Sequence, residues 1–114
     1  MTGYPLCRTV VTVYRLVDGQ VQRQVEKGCF YQWQDVLTED VQGQRRVRKF
    51  YLVMPGSPQR VFPGDRVLLG EGPQVSAQEW DSFVPSVVPT LSQVQYACPH
   101  YWRGKLCHTE AGRK

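Results

Sequence analysis

The chain has 114 residues, enough for one compact domain and too few for two. At 41% hydrophobic and 21% charged it falls in the ordinary globular range, which excludes a wholly unstructured chain, and no run approaches the roughly 18 apolar residues of a membrane-spanning helix. A formal charge of +4 comes from 14 basic and 10 acidic residues, unevenly placed: Arg45, Arg46, Arg48, Lys49 and Arg60 lie between Asp40 and Asp65 with no acid among them. Such polarity steers association with a complementary surface and by itself names no partner.

The opening, MTGYPLCRTV, lacks the charged region and apolar block of a secretory signal. A cytosolic start is expected, with Cys7, Cys29, Cys98 and Cys107 held as thiols rather than disulfides. Residues 10–17, VVTVYRLV, are β-branched and aromatic and run straight into Asp18-Gly19, so they predict a strand and a tight hairpin turn. The return strand runs from Val21 through Val25 and resumes at Cys29–Trp33. Gly28 between them marks a bulge that curls the sheet.

Residues 34–48, QDVLTEDVQGQRRVR, form a polar interlude before the strand Lys49–Met54. A hairpin arm over residues 34–49, with its tip at Glu39–Gln44, accounts for both, and Gly43 suits the turn. Next, RVFPGDRVLLGEGP predicts a short strand at Arg60–Phe62, a type II turn through Pro63-Gly64, and a strand at Arg66–Leu69. Ser76 and Glu79 stand at capping-box spacing for one helical turn, and Pro85 and Pro89 bar anything longer. Leu91–Cys98 is expected as one strand, Pro99–Trp102 as an aromatic corner, and residues 104–110 as the last strand. With no sustained helical period, the fold expected is all-β: one barrel or sandwich of about six to eight short antiparallel strands over residues 1–114, with 34–49 protruding.

Chemistry is sparse. Cys98, His100, Cys107 and His108 invite a zinc reading, but neighbours on a strand point to opposite faces, so Cys107 and His108 are not expected to share a metal. No glycine loop opens a helix to cradle phosphate, and the carboxylates fall singly at turns or on the polar interlude. Neither catalysis, a metal nor a cofactor is expected. The strongest charged feature is Arg45-Arg46-Val47-Arg48-Lys49, which with Trp33 is the candidate subunit interface or DNA-channel surface. Pro63, Gly64 and Asp65 are expected to form a structural corner, with shape as their role.

The opening TVVTVYR strand, the GCFYQW strand, a polar arm leading into KFYLVMPG, the VFPGDRVLLGEGP corner and a closing YWRGKLCHTEAG bearing H-x-E (His108, Glu110) stand in a telling order. Over nearly its full length the chain resembles the small minor capsid or head-closure (head–tail connector) proteins of tailed bacteriophages and of prophages in Gram-positive bacteria. The resemblance implies a non-enzymatic β-barrel subunit of the virion, assembled in the host cytoplasm, away from membranes. It would form an oligomeric ring with copies of itself beneath the portal and adaptor, closing the DNA-filled head and meeting the tail proteins. In that family a long loop or hairpin reaches toward the channel or a neighbour, and residues 34–49 match it here. Two features depart from the pattern: a basic run would grip sliding DNA, and the C-terminus is rich in cysteine. The alternatives are a tail-terminator or neck protein of the same machine and, from another class, a small nucleic-acid-binding β-barrel.

Overall fold

The computed structural model describes residues 8–40, 43–85, 87, 88 and 90–114, with the side chains of all of these except 38, 40 and 44–47. Cys7 and Pro89 therefore lie outside the described residues. Seven strands form it: β1 (Thr9–Val17), β2 (Gln20–Asp40), β3 (Gly43–Pro55), β4 (Arg66–Leu69), β5 (Leu91–Gln93), β6 (Tyr96–Trp102) and β7 (Lys105–Arg113). They make one antiparallel sheet in the order β5-β4-β1-β2-β3-β7-β6, curled into a half-barrel.

The curl follows from the connectivity. β5 and β6 lie on opposite edges of the sheet, and six strand spacings would set them roughly 29 Å apart if it were flat. Only Val94 and Gln95 join them, and three peptide links reach at most about 11 Å. The two edges must therefore approach each other at this crossing. Val94 is pinned on the β4 side by reciprocal backbone bonds, from its N–H to the Asp65 carbonyl and from the Gly64 N–H to its own carbonyl, each 2.8 Å. Gln95 donates to the Gly112 carbonyl on the other side, also at 2.8 Å. This crossing corrects the expectation of a single strand over 91–98: the chain changes sheet edge in the middle of that stretch.

β2 is the strand that bends. Up to Cys29 it pairs with β1, and from Phe30 onward it pairs with β3. The change falls just after a bulge, where Thr9 faces Cys29 but Val11 faces Glu26, with Gly28 at φ +75°. A fully extended strand of 21 residues would span about 69 Å, whereas the longest dimension of the molecule is 48 Å. The hairpin before it closes through Asp18 and Gly19, both at positive φ, as the short loop between Val17 and Gln20 requires.

Inside the curl, Val11, Val13, Cys29, Tyr31, Phe50, Leu52, Met54, Val67 and Ala111 pack from both halves of the sheet. On the outer face of β1 and β4, Tyr14 and Leu68 pack with Phe83 and Leu91 in a second cluster. β1 is thus buried on both faces from Val11 to Tyr14, which is why it reads VVTVY rather than alternating with polar residues. The covering segment is tied down by Tyr14, whose hydroxyl donates to the Pro73 carbonyl at 2.7 Å, and by Gly72, where a Cβ would collide with the Tyr14 hydroxyl and Leu68. The capping box forms as the spacing predicts, with Ser76 and Glu79 exchanging backbone-to-side-chain bonds of 3.0 and 3.2 Å just before a short 3₁₀ turn at Trp80–Ser82.

The Pro63-Gly64-Asp65 corner is a type II turn: Gly64 has φ +92° and the Asp65 N–H donates to the Phe62 carbonyl. Asp65 is buried, and its carboxylate accepts from Arg15 Nε at 2.8 Å, Arg15 Nη2 at 2.6 Å and the Phe62 N–H at 2.9 Å. That last bond explains a correction. Residues 60–62 are not a strand, because their backbone groups go to side chains: the Phe62 N–H donates to Asp65, and the Val61 and Arg60 carbonyls accept from Gln59 and Arg15. A second correction concerns 99–102, which continue as edge strand β6; the reversal comes at Arg103-Gly104, both at positive φ. Pro99 is tolerated there because among the described residues β6 pairs with β7 alone.

Replacing Asp65 with Ala strands the Arg15 guanidinium and the Phe62 N–H, so urea denaturation should show a loss of about 3 kcal/mol. A loss well under 1 kcal/mol, on the order of a surface change, would show that the corner does not depend on this carboxylate.

Candidate functional site

Beyond the bodies of β1 and β7, β2 and β3 continue as a two-stranded ribbon. Residues 34–40 and 43–49 pair only with each other among the described residues, from Gln34 opposite Lys49 to Asp40 opposite Gly43. The described part of the polar interlude is therefore ladder, with Glu39 and Gln44 of the expected tip paired to each other, and residues 41 and 42 lie outside the described residues. Its two faces differ. Tyr31 and Phe50 stack at 5.6 Å in the core, and the same face then runs outward through Trp33, the Asp35–Arg48 pair and Leu37. Trp33 is 49% exposed and Leu37 65%. Lys49 is exposed on the opposite face, near Gln34, Tyr51, Tyr96, Arg113 and Lys114.

Arg48 and Lys49, the cations of the basic run whose side chains are described, differ in placement. Arg48 is buried: Nε and Nη2 donate to the two Asp35 oxygens at 2.8 and 3.1 Å, Nη1 donates to the Thr90 carbonyl at 3.3 Å, and the guanidinium lies 5.2 Å from the centre of the Trp33 ring. The Asp35 carboxylate, chiefly, raises its pKa above the usual arginine value against the cost of burial. Arg48 is thus an internal anchor at the root of the arm, which corrects its placement among solvent-facing contact residues. The backbones of Arg45 and Arg46 pair with Thr38 and Leu37, and their side chains lie outside the described residues.

A second cluster sits on β6 and β7. The hairpin register sets His100 directly opposite His108, and Glu110, two residues on, shares their face. The imidazoles stack with centroids 4.7 Å apart and planes 9° from parallel. Both Nε2 atoms point to one carboxylate oxygen, Glu110 Oε2, at 2.9 Å from His100 and 3.1 Å from His108. The other oxygen, Oε1, accepts a 2.8 Å bond from the Tyr51 hydroxyl on β3. That bond, with those to the histidines, holds the Glu110 carboxyl below the ordinary carboxylate range, while burial and the Glu110 charge push the Tyr51 phenol up to about 12.

The sequence had suggested Cys98, His100, Cys107 and His108 as the only metal-like set. The fold keeps the two histidines and brings Glu110 and Tyr51 to them. The available signal was the H-x-E spacing, which on a strand puts both side chains on one face; the contribution of His100 needed the register of the hairpin. Cys98 stands opposite Glu110, exposed, and Cys98 and Cys107 are free thiols.

No protein-family model, curated protein or solved structure matches this chain. Among the described residues no helix is long and apolar enough to cross a membrane.

If Arg48 anchors the arm, Asp35→Ala should cost about 1–2 kcal/mol in thermal or chemical unfolding, because it leaves a buried guanidinium short of its main acceptor. Lys49→Ala, on the wet face, should stay within about 0.5 kcal/mol. Equal effects would place both charges alike in solvent.

Proposed function

We propose that this chain is a structural, non-catalytic ring subunit of a tailed-phage head–tail connector, part of a virion assembled in the bacterial cytoplasm, which closes the DNA-filled head and meets the tail. The observation that carries this reading is the ribbon. Seven residues per strand project about 20 Å past the last shared ladder, and a two-stranded ribbon on its own is marginal in water. Its exposed Trp33 and Leu37 continue the core face outward, and both outer edges of the ribbon lack a ladder partner among the described residues. A neighbouring copy would supply the missing packing, with an aromatic anchor and strand edge as its points of contact.

The internal anchoring of Arg48 also eases the difficulty that a basic arm poses for a channel. One of the four clustered cations is already neutralised within the chain, so the run grips phosphate less than its sequence suggests. Portal, adaptor and tail proteins are the further partners of this reading. A tail-terminator or neck position uses the same ring chemistry and differs in which of those partners binds.

Light scattering on size-exclusion fractions tests the proposal, with the chain alone and with portal–adaptor complex. Wild type should form a multi-subunit assembly in at least one setting, and a Trp33→Ser, Leu37→Asp variant with an unchanged circular-dichroism spectrum should remain monomeric in both. A wild-type chain that is monomeric alone and does not join the portal–adaptor complex would overturn the connector reading.

A further inference from the structure

We propose that His100, His108 and Glu110 form a binding site for one divalent transition-metal ion of the zinc class, on the outer face of the β6–β7 hairpin. The ligand atoms of these three residues all lie within 4.8 Å of one another. Two imidazole nitrogens and a carboxylate oxygen are a donor set that suits zinc, with bonds of about 2.0–2.2 Å that separate tetrahedral ligands by roughly 3.4 Å. The two nitrogen–oxygen distances, 2.9 and 3.1 Å, need to open by a few tenths of an ångström, and the near-parallel imidazoles to tilt toward each other, for one ion to lie in the plane of both rings.

Three features distinguish this arrangement from a chance surface cluster. The histidines are fixed by ladder register, with stacked rings that present the same nitrogen in the same direction. The carboxylate is already oriented, because Tyr51 holds Oε1 from a different strand and leaves Oε2 turned toward the imidazoles, the outer-shell support that metal sites characteristically show. The site is also partly open, with the His100 side chain 47% exposed, so water has access to complete the shell. Cys98, although opposite Glu110, does not fall within the cluster of ligand atoms, so water is left to complete the shell.

The ion would act as a staple. Among the described residues β6 is an edge strand held by β7 alone, and Pro99 removes one backbone donor from it. A metal bridging His100 on β6 to His108 and Glu110 on β7, backed by Tyr51 on β3, would tie three strands at the rim of the half-barrel. Because it binds only the folded register, it would raise stability with the logarithm of its free concentration once that exceeds the dissociation constant. The inference stands apart from the ring proposal and uses none of the arm residues.

The test is titration of chelator-stripped full-length chain with zinc chloride by calorimetry, with cobalt(II) as the spectroscopic probe. Wild type should take up one equivalent, and its melting temperature should rise with added zinc. His108→Ala and Glu110→Gln should each weaken binding at least tenfold, and Tyr51→Phe should weaken it by about tenfold as a support residue. Cys107→Ala should leave affinity unchanged. A tetrahedral cobalt spectrum without a thiolate-to-cobalt charge-transfer band would assign the fourth position to water. Should a variant fail to fold, histidine ring NMR on the wild type decides, since one equivalent of zinc should shift both imidazoles together. No saturable binding, unchanged affinity in folded His108→Ala and Glu110→Gln, or binding lost only with the cysteines would each overturn the proposal.

Discussion

The structure depends on one strand having two sets of partners. β2 pairs with β1 over its first half and with β3 over its second, and the bulge at Gly28 lets the backbone bend where the partner changes. Without that bend the sheet would run flat, β5 and β6 would lie too far apart for Val94 and Gln95 to join them, and the core face would remain open. The bulge, the edge crossing and the core are therefore one constraint seen at three places. Asp65 serves it too, because the corner it stabilises sets the carbonyl that receives Val94.

The same strand sets up the arm. Once β2 has left β1 and not yet reached a partner other than β3, the ribbon has no sheet to lean on. Its root is held by polar contacts instead, with Arg48 bridging Asp35 and the Thr90 carbonyl beneath the Trp33 ring. Farther out, Leu37 meets solvent. An apolar face that begins in the core and ends exposed is well suited to a neighbour that continues the packing.

At the opposite rim the chain solves an edge problem. β6 carries a proline and pairs on one side only, so backbone bonds alone hold it weakly. The stacked histidines, Glu110 and Tyr51 add side-chain ties from β6 through β7 to β3.

Much of the fold was legible because its causes are local. Asp18-Gly19 and Pro63-Gly64 specify their turns by backbone preference, Ser76 and Glu79 their capping box by spacing, and the β-branched runs their strands. The long arm was legible too, since a polar stretch containing Gly43 separates two strand-forming runs. What the tertiary structure alone decided was which distant segments meet. Leu91–Cys98 reads as one strand because nothing within it announces that its halves belong to opposite edges. Arg48 reads as a surface cation because its acceptors, Asp35 and Thr90, are brought by strand pairing and by a segment far along the chain. Glu110 joins His100 only through hairpin register, and Tyr51 only through the β3–β7 ladder. Periodicity and turn chemistry act over a few neighbouring residues, whereas register and burial are properties of the assembled sheet.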